Sequence, residues 1–389
     1  MKRHLPGAVL LIAAAYLSAT GFQCGSAELT SAKLYIQQKQ WQKAEESLQK
    51  QIVKNDKDPE AWFLLGQVRR ETMDYAGMND AYTRSLALSD VHKNEITHYR
   101  LLLWSNLYSE GASYIKRARD TAAYFDSALV RFKTGILLEP DSSETYYGSA
   151  IAYNAKQDYE GAGRDLQTAL EKNPQFFDAA RFLGQIQYAV AQNKLIAKDT
   201  AGATAEYAKA AESFKKAFDL QPDNPDNIAI LIDAYERSHQ TEKAEAITRD
   251  GVKRDPKNKI FRQAFGFYLL EKEDYAGAIE QFTKALEIDS SYSDASYNMG
   301  VAYLNWGVSL RTAAIKALES QKKGAKPVKE DVSYMEKFKL ALPYLEQSVL
   351  TRPNESALWT RLGGLYAILN MQAKSKAAFE KADKLTKGK

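Results

Sequence analysis

The chain has 389 residues, enough for two ordinary domains, and 26% of them are charged. Its 53 Lys and Arg residues are interspersed among 49 Asp and Glu residues, giving a net charge of +4, so the sequence shows no basic stripe for nucleic acid. A single cysteine excludes an intrachain disulfide.

The first 27 residues have the pattern of a secretory leader. Lys2 and Arg3 are followed by the apolar run Ala8–Leu17, whose 10 residues are too few to span a bilayer comfortably. This pattern predicts a signal peptide over residues 1–27. We therefore expect an exported protein that lies in the periplasm, or is attached to a membrane and faces the periplasm or the cell surface.

Cys24 follows this apolar run in a position that resembles a bacterial lipoprotein acylation site. Gly21, Phe22 and Gln23 precede it, and Gln23 stands where that family pattern has a small residue. Three outcomes are therefore open. Cys24 is acylated and tethers the protein to a membrane, or a plain signal is cleaved after Ala27, or the leader remains as an uncleaved anchor.

A repeating pattern of small residues runs through the rest of the chain. Its clearest copies are back to back, over residues 225–258 and 259–292, where Ala244 and Ala278 occupy the same position of the pattern. Five of the eight intervals between successive anchors equal one period of about 34 residues, and the other three are longer. Such a period predicts a solenoid of helix pairs, in which each anchor opens the second helix. The nine anchors are Ala44, Met78, Ala128, Ala162, Ala210, Ala244, Ala278, Ala341 and Ser375.

Other positions keep a fixed distance from the anchor. Twelve residues before it stands a small residue, as at Gly66 and Gly266, and four residues after it stands a bulky one, as at Tyr82 and Phe282. Proline is common twelve residues after the anchor, where it ends the second helix because it lacks an amide hydrogen. We expect the small residues to let the two helices approach closely and the bulky ones to fill the groove between neighbours.

These positions resemble the tetratricopeptide repeat family. Trp62–Gly66 and Trp359–Tyr366 are similar to its first-helix signature, and Asp274–Leu286 is similar to its second-helix signature. The resemblance implies an all-α fold, a right-handed superhelical solenoid of about nine helix-turn-helix repeats that fills residues 28–386. The repeats are expected near residues 28–56, 59–90, 95–140, 143–174, 177–222, 225–256, 259–290, 293–353 and 356–386.

Three repeats, near residues 95–140, 177–222 and 293–353, exceed the period and predict extended helical hairpins. In the second of them a turn is expected at Thr200–Gly202. In the third, Pro343 should kink the returning helix or begin a new one. The extensions are either neutral insertions, which solenoids tolerate at loop tips, or a second docking surface and rim over the groove.

The sequence contains no pattern for catalysis. The four histidines are His4, His92, His98 and His239, and the six-residue spacing of His92 and His98 keeps them off a common helix face for metal binding. It also contains no glycine-rich phosphate loop, nucleophile elbow or Cys/His cluster. We therefore predict a non-enzymatic protein without a cofactor or a bound metal.

Repeat arrays of this kind bind on the concave face, which the first helices line. We expect a protein or peptide partner there, held by aromatic, Arg and Gln side chains, although each tyrosine among them is equally compatible with a place in the core. Some family members hold chaperone C-termini with a Lys/Asn carboxylate clamp, but here Leu29, Lys33, Phe63 and Gln67 stand at its positions, so that clamp is not formed. The predicted groove residues are Phe63, Gln67, Arg70, Tyr147, Asn154, Arg181, Gln185, Tyr188, Asp233, Phe267 and Tyr297.

The preferred function is a protein-binding scaffold or adaptor in the bacterial cell envelope. Two alternatives stay open at the level of sequence. The groove tyrosines would stack on sugar rings in a carbohydrate-binding envelope protein, or the chain would be a structural subunit of an envelope assembly held by self-association.

The intact mass of the protein purified from its native cells tests the prediction for the leader. Acylation predicts a mature chain that begins at Cys24 and carries the mass of attached acyl groups. An unmodified chain beginning at Glu28 would contradict acylation and support plain secretion.

Overall fold

The computed structural model describes residues 26–118, 121–319 and 332–387. The regular structure of these residues is helical throughout and comprises eighteen α-helices and one 3₁₀ turn at Asp90–His92. This confirms the predicted all-α class. The predicted leader, with Cys24, lies outside the described residues.

The chain divides into two compact units between Ala179 and Ala180. The helices that begin in the first unit are α1 Ala27–Gln37, α2 Trp41–Lys54, α3 Pro59–Glu71, α4 Tyr75–Leu88, α5 Lys93–Arg117, α6 Tyr124–Leu138, α7 Ser143–Ala155, α8 Tyr159–Lys172 and α9 Phe177–Ile196, whose first turn contains the boundary. The second unit continues with α10 Thr200–Leu220, α11 Pro225–Arg237, α12 Thr241–Arg254, α13 Lys259–Glu271, α14 Tyr275–Ile288, α15 Ser293–Glu319, α16 Ser333–Thr351, α17 Ser356–Ile368 and α18 Gln372–Lys387.

Small residues on the first helix of a pair pack against bulky residues of the second helix. A Cβ atom added to Gly66 would lie 2.3 Å from the Tyr82 ring, and one added to Gly266 would lie 2.6 Å from the Phe282 ring. These distances are well inside van der Waals contact, so only glycine allows the two helices to approach this closely. All nine anchor residues that the period picked out are buried.

Four of the turns between paired helices share one capping arrangement. A residue with positive φ is followed by an aspartate whose carboxylate caps the second helix, as Asp274 does by accepting a hydrogen bond of 3.0 Å from the amide of Gly277. Asp199 caps α10 in the same way through the amide of Gly202, at 2.8 Å. The turn predicted at Thr200–Gly202 therefore lies slightly earlier, at Lys198–Asp199, because Thr200 is already helical.

Two of the three expanded pairs have two long helices. In α9 and α10 Gly184 contacts Phe214. Seven residues nearer the connecting turn on each helix, Ala191 packs with Tyr207. In α15 and α16 the contact of Gly300 with Leu345 is followed in the same register by another small-against-bulky contact, that of Gly307 with Phe338. The added length therefore continues the same interface outward.

The remaining expanded pair is extended in its first helix only. Helix α5 has 25 residues, whereas α6 has 15, close to the length of an ordinary second helix. Phe132 of α6 packs on Gly111, in the C-terminal part of α5, so only the first helix of this pair is extended. Pro343 lies inside α16, which runs through it as one helix and does not begin a new one there.

Gly266→Ala should lower the free energy of unfolding by about 1–3 kcal/mol, because the new methyl group would overlap the buried Phe282 ring. The measurement is the urea midpoint of the purified protein. Gly364→Ala on α17 is the matched control, since a Cβ there meets no atom within 4 Å and should raise stability by about 0.5–1 kcal/mol through helix propensity. Equal shifts for the two variants would contradict the close helix approach.

Candidate binding groove

A groove in the second unit is lined by the first helices of three successive pairs. Its volume is about 500 Å³. Ala229, Gln263 and Tyr297 occupy equivalent positions in α11, α13 and α15, one repeat period apart, so the groove is a product of the repeat itself. The lining residues are Ala229, Ile232, Asp233 and Glu236 from α11, Ile260, Gln263, Ala264 and Phe267 from α13, Tyr292, Asp294, Tyr297 and Asn298 at the start of α15, and Arg352 after α16. We call it the α11–α15 groove.

The groove contains three of the residues predicted from sequence: Asp233, Phe267 and Tyr297. Arg181, Gln185 and Tyr188 lie on α9 and do not line it. Tyr188 is nevertheless connected to it, because its hydroxyl donates a hydrogen bond to the carboxylate of Asp233.

The other five predicted residues lie in the first unit, on α3 and α7. Phe63 is buried and its ring stacks on that of His92, with centroids 3.9 Å apart, so it offers little surface to a partner. The guanidinium of Arg70 lies 4.2 Å from the centroid of the Tyr99 ring. The remaining three, Gln67, Tyr147 and Asn154, are half-buried.

Three tyrosines in or beside the α11–α15 groove, Tyr188, Tyr292 and Tyr297, have a cation over the ring, and each of these cations is paired with an aspartate. Arg352 lies 4.8 Å from the centroid of the Tyr297 ring and forms an ion pair with Asp294. Two further sets repeat this arrangement of tyrosine, cation and aspartate. They are Tyr292 with Lys259 and Asp289, and Tyr188 with Arg237 and Asp233.

These contacts fix the rings and neutralise most of the charge nearby. Burial raises the pKa of Tyr292 to about 12, so its hydroxyl stays protonated. The hydrogen bonds from Arg237 to Asp233 raise the pKa of that guanidinium above its ordinary value. The walls of the groove are therefore ordered before anything binds, which lowers the entropy lost on binding.

Glu236 is the exception among the charged lining residues. It accepts a hydrogen bond of 2.7 Å from the hydroxyl of Tyr268, but no Lys, Arg or His nitrogen of the described residues lies within 4.0 Å of its carboxylate. Partial removal from water raises the pKa of Glu236, and the charges of Asp233 and Glu271 raise it further.

Sequence reasoning missed Glu236, Ile260 and Arg352. Glu236 stands one turn beyond Ile232 and Asp233 on the same face of α11, so helical spacing could have found it. Arg352 follows the end of α16, far from the repeat positions that identify groove residues, and no sequence signal points to it.

The described ranges contain no group of three or more His, Cys, Asp or Glu side chains placed to hold a metal ion. Among the helices of those ranges, none combines the length and the apolar character needed to cross a bilayer.

Comparison with known families places tetratricopeptide repeats in this chain. Family models described as "Tetratricopeptide repeat" match residues 203–264 and 356–388, and one described as "TPR repeat" matches residues 268–307. Helix α11, most of α13 and the groove residues of α15 thus lie in matched segments. These matches support the tetratricopeptide repeat family, and proteins built from this repeat generally mediate protein–protein interactions.

The individual similarities are more distant. The "Protein CTR9 homolog" of Arabidopsis thaliana is 28% identical over 150 residues, which are 38% of this chain, and the match spans 12% of that protein's length. Among solved structures, "YrrB: a TPR protein with an unusual peptide-binding site" is 19% identical with a TM-score of 0.38, covering 58% of this chain and 95% of that one. "MamA 41-end from Desulfovibrio magneticus RS-1" is 24% identical with a TM-score of 0.33, covering 47% and 97%. Yeast Tom70 is 14% identical with a TM-score of 0.35, covering 92% and 84%.

Acid should weaken the Lys259–Asp289 ion pair beside the groove. Hydrogen bonds from Lys259 and Ser291 lower the pKa of this carboxyl from 3.8 to about 2, so the stability they contribute is present above the unfolded pKa and is lost as the pH falls through about 2. Asp289→Asn should therefore lower the urea midpoint at neutral pH, and its difference from the unmodified protein should shrink from about pH 4 downward.

The control for this pH series is Asp250→Asn, which removes an exposed carboxyl of α12 whose nearest cation is 3.6 Å away. The urea midpoint of this control should differ little from that of the unmodified protein at every pH of the series. A difference in urea midpoint between Asp289→Asn and the unmodified protein that stays constant down to about pH 2 would contradict the role of the Lys259–Asp289 pair.

Proposed function

We propose that this chain is a non-enzymatic scaffold that binds another protein through the α11–α15 groove. The observation that carries this proposal is the groove itself, an apolar floor between polar walls whose rings and charges are already ordered. Ile232, Ile260 and Phe267 supply the floor. A volume of about 500 Å³ accommodates several side chains of a peptide.

The repeat geometry favours an extended segment as the bound element. Equivalent positions in α11, α13 and α15 present one residue each, so side chains along a peptide would meet a periodic series of contacts. Apolar contacts with Phe267 would supply most of the affinity, because burial of an aromatic ring removes a large apolar area from water.

A carbohydrate ligand receives less support from this groove. Stacking on a sugar needs a free aromatic face, and Lys259 and Arg352 already cover faces of Tyr292 and Tyr297. Phe267 differs from these two tyrosines: it contacts Tyr268 edge-on, and no cation of the described residues lies over its ring. Glycan binding and self-association remain outcomes that the experiment below distinguishes.

We further propose that the scaffold works outside the cytoplasm, in a bacterial cell envelope. Support for this location comes from the leader pattern of residues 1–27 alone. A lipid on Cys24 would hold the scaffold at a membrane, whereas cleavage after Ala27 would leave it in the periplasm.

Site-specific photo-cross-linking in the native cells tests the proposed use of the groove. A photoreactive phenylalanine at Gln263, inside the groove, should give adducts with one dominant protein, identified by mass spectrometry. The control places the same probe at Val53 on α2, whose side chain is 88% exposed and outside the groove. Adding Phe267→Ala should reduce the Gln263 adduct about tenfold, as expected for losing roughly 1.4 kcal/mol of binding energy.

Equal adducts at Gln263 and Val53, or none at either position, would contradict the groove as the binding surface. Adducts only with envelope glycan would favour the carbohydrate alternative. Adducts only with a second copy of the chain would favour the structural-subunit alternative.

A further inference from the structure

The charged residues that line the α11–α15 groove are not equally compensated. Asp233 is paired with Arg237 at 2.8 Å, and Asp294 and Arg352 are paired with each other. Glu236 has no cation within ion-pair distance among the described residues. The groove therefore contains one uncompensated negative charge.

This charge is placed where a cation would be favourable. Glu236 is an exposed residue of α11, but the packing around its carboxylate and repulsion from the carboxylates of Asp233 and Glu271 raise its pKa above the usual range. Arg237 is near enough to lower that pKa slightly, but its guanidinium is bound to Asp233. A bound cation would relieve this repulsion.

The carboxylate is also held in position. Its Oε1 atom accepts the hydrogen bond from the hydroxyl of Tyr268, a residue that is buried and only 2% exposed. The Oε2 atom accepts no hydrogen bond from the part of the chain that the structure describes. One oxygen is thus used to fix the side chain, and the other remains able to accept a hydrogen bond from a ligand.

The floor of the groove beside Glu236 is apolar. Ile232 lies one turn before it on α11, and Ile260 and Phe267 face the groove from α13. A lysine or arginine side chain combines a methylene stem with a charged end, so the stem can lie on this apolar floor while the charge reaches the carboxylate. An uncovered aromatic ring such as Phe267 adds attraction for a cation that passes over it.

We propose that the α11–α15 groove recognises a lysine or arginine side chain of an extended peptide, with Glu236 as the partner of the positive charge. This deepens the proposed function and rests on it. An acidic side chain is disfavoured at the same place because Glu236 would repel it, and Arg352, the cation that lines the groove, is already neutralised by Asp294. The groove thus selects for charge as well as for an apolar stem.

The test begins with a phage-displayed library of random peptides, selected on the purified protein. A recovered peptide is then synthesised in two forms, one with its lysine and one with norleucine, which keeps the methylene stem without the charge. Affinities of both peptides are measured for the unmodified protein, for Glu236→Gln and for Glu380→Gln. Glutamine keeps an acceptor for the Tyr268 hydroxyl, and Glu380 is an exposed residue of α18 outside the groove.

Selected peptides should be enriched in Lys or Arg. Glu236→Gln should weaken binding of the lysine peptide about tenfold, and norleucine should weaken binding to the unmodified protein by a similar factor. Combining the two changes should add little, because both remove the same interaction. Glu380→Gln should leave both affinities unchanged.

Two results would overturn the inference in distinguishable ways. Peptides that bind the groove without basic enrichment, and equally well after Glu236→Gln, would refute the charge selection and leave the proposed peptide binding intact. Failure to recover any peptide above background, with unfolding midpoints that show a folded protein, would refute both the linear-peptide groove and the charge selection.

Discussion

The contact between a small residue on one helix and an aromatic or leucine side chain on its partner is the constraint on which the rest of this structure depends. Gly66 with Tyr82 and Gly266 with Phe282 bring the helix axes close enough to exclude water and to bury the anchor residues. Because seven residues are nearly two helical turns, the same contact recurs one heptad further out in the long pairs, as Gly307 with Phe338. The hairpins therefore grow in length without a change in how their helices pack.

The turns that join the two helices of a pair add a second constraint, which sets where the second helix begins. Among the described residues, seven non-glycine residues take positive φ, a conformation that disfavours side chains, and four of them precede an aspartate that caps the second helix. The cap and the packing of the pair together compensate for this backbone cost. The seven residues are Lys39, Met73, Gln157, Lys198, His239, Glu273 and Asn370.

The α11–α15 groove follows from this regularity and then departs from it. Repeated geometry brings equivalent first-helix positions together, which makes a floor of apolar side chains. Cations then cover Tyr292 and Tyr297, and aspartates neutralise those cations, so the groove is ordered and nearly balanced in charge. Glu236 has no such partner, so its carboxylate favours a positively charged ligand over a negatively charged one.

The spacing of small and bulky residues, by itself, determined that this chain forms helix pairs and which small residue of each second helix is buried, because these residues form the contacts between the paired helices. The anchors open most of the second helices, but Ala210 and Ala341 lie well inside the long helices α10 and α16. It also placed Asp233 and Phe267, which stand one repeat period apart, on one surface. Only the tertiary structure decided which charges are compensated. Arg237 is next to Glu236 in sequence, yet it pairs with Asp233, because residues four apart share a helix face and adjacent residues do not. Arg352, distant in sequence, reaches the groove only through the packing of α15 and α16, so the charge that it neutralises could not be inferred from local spacing.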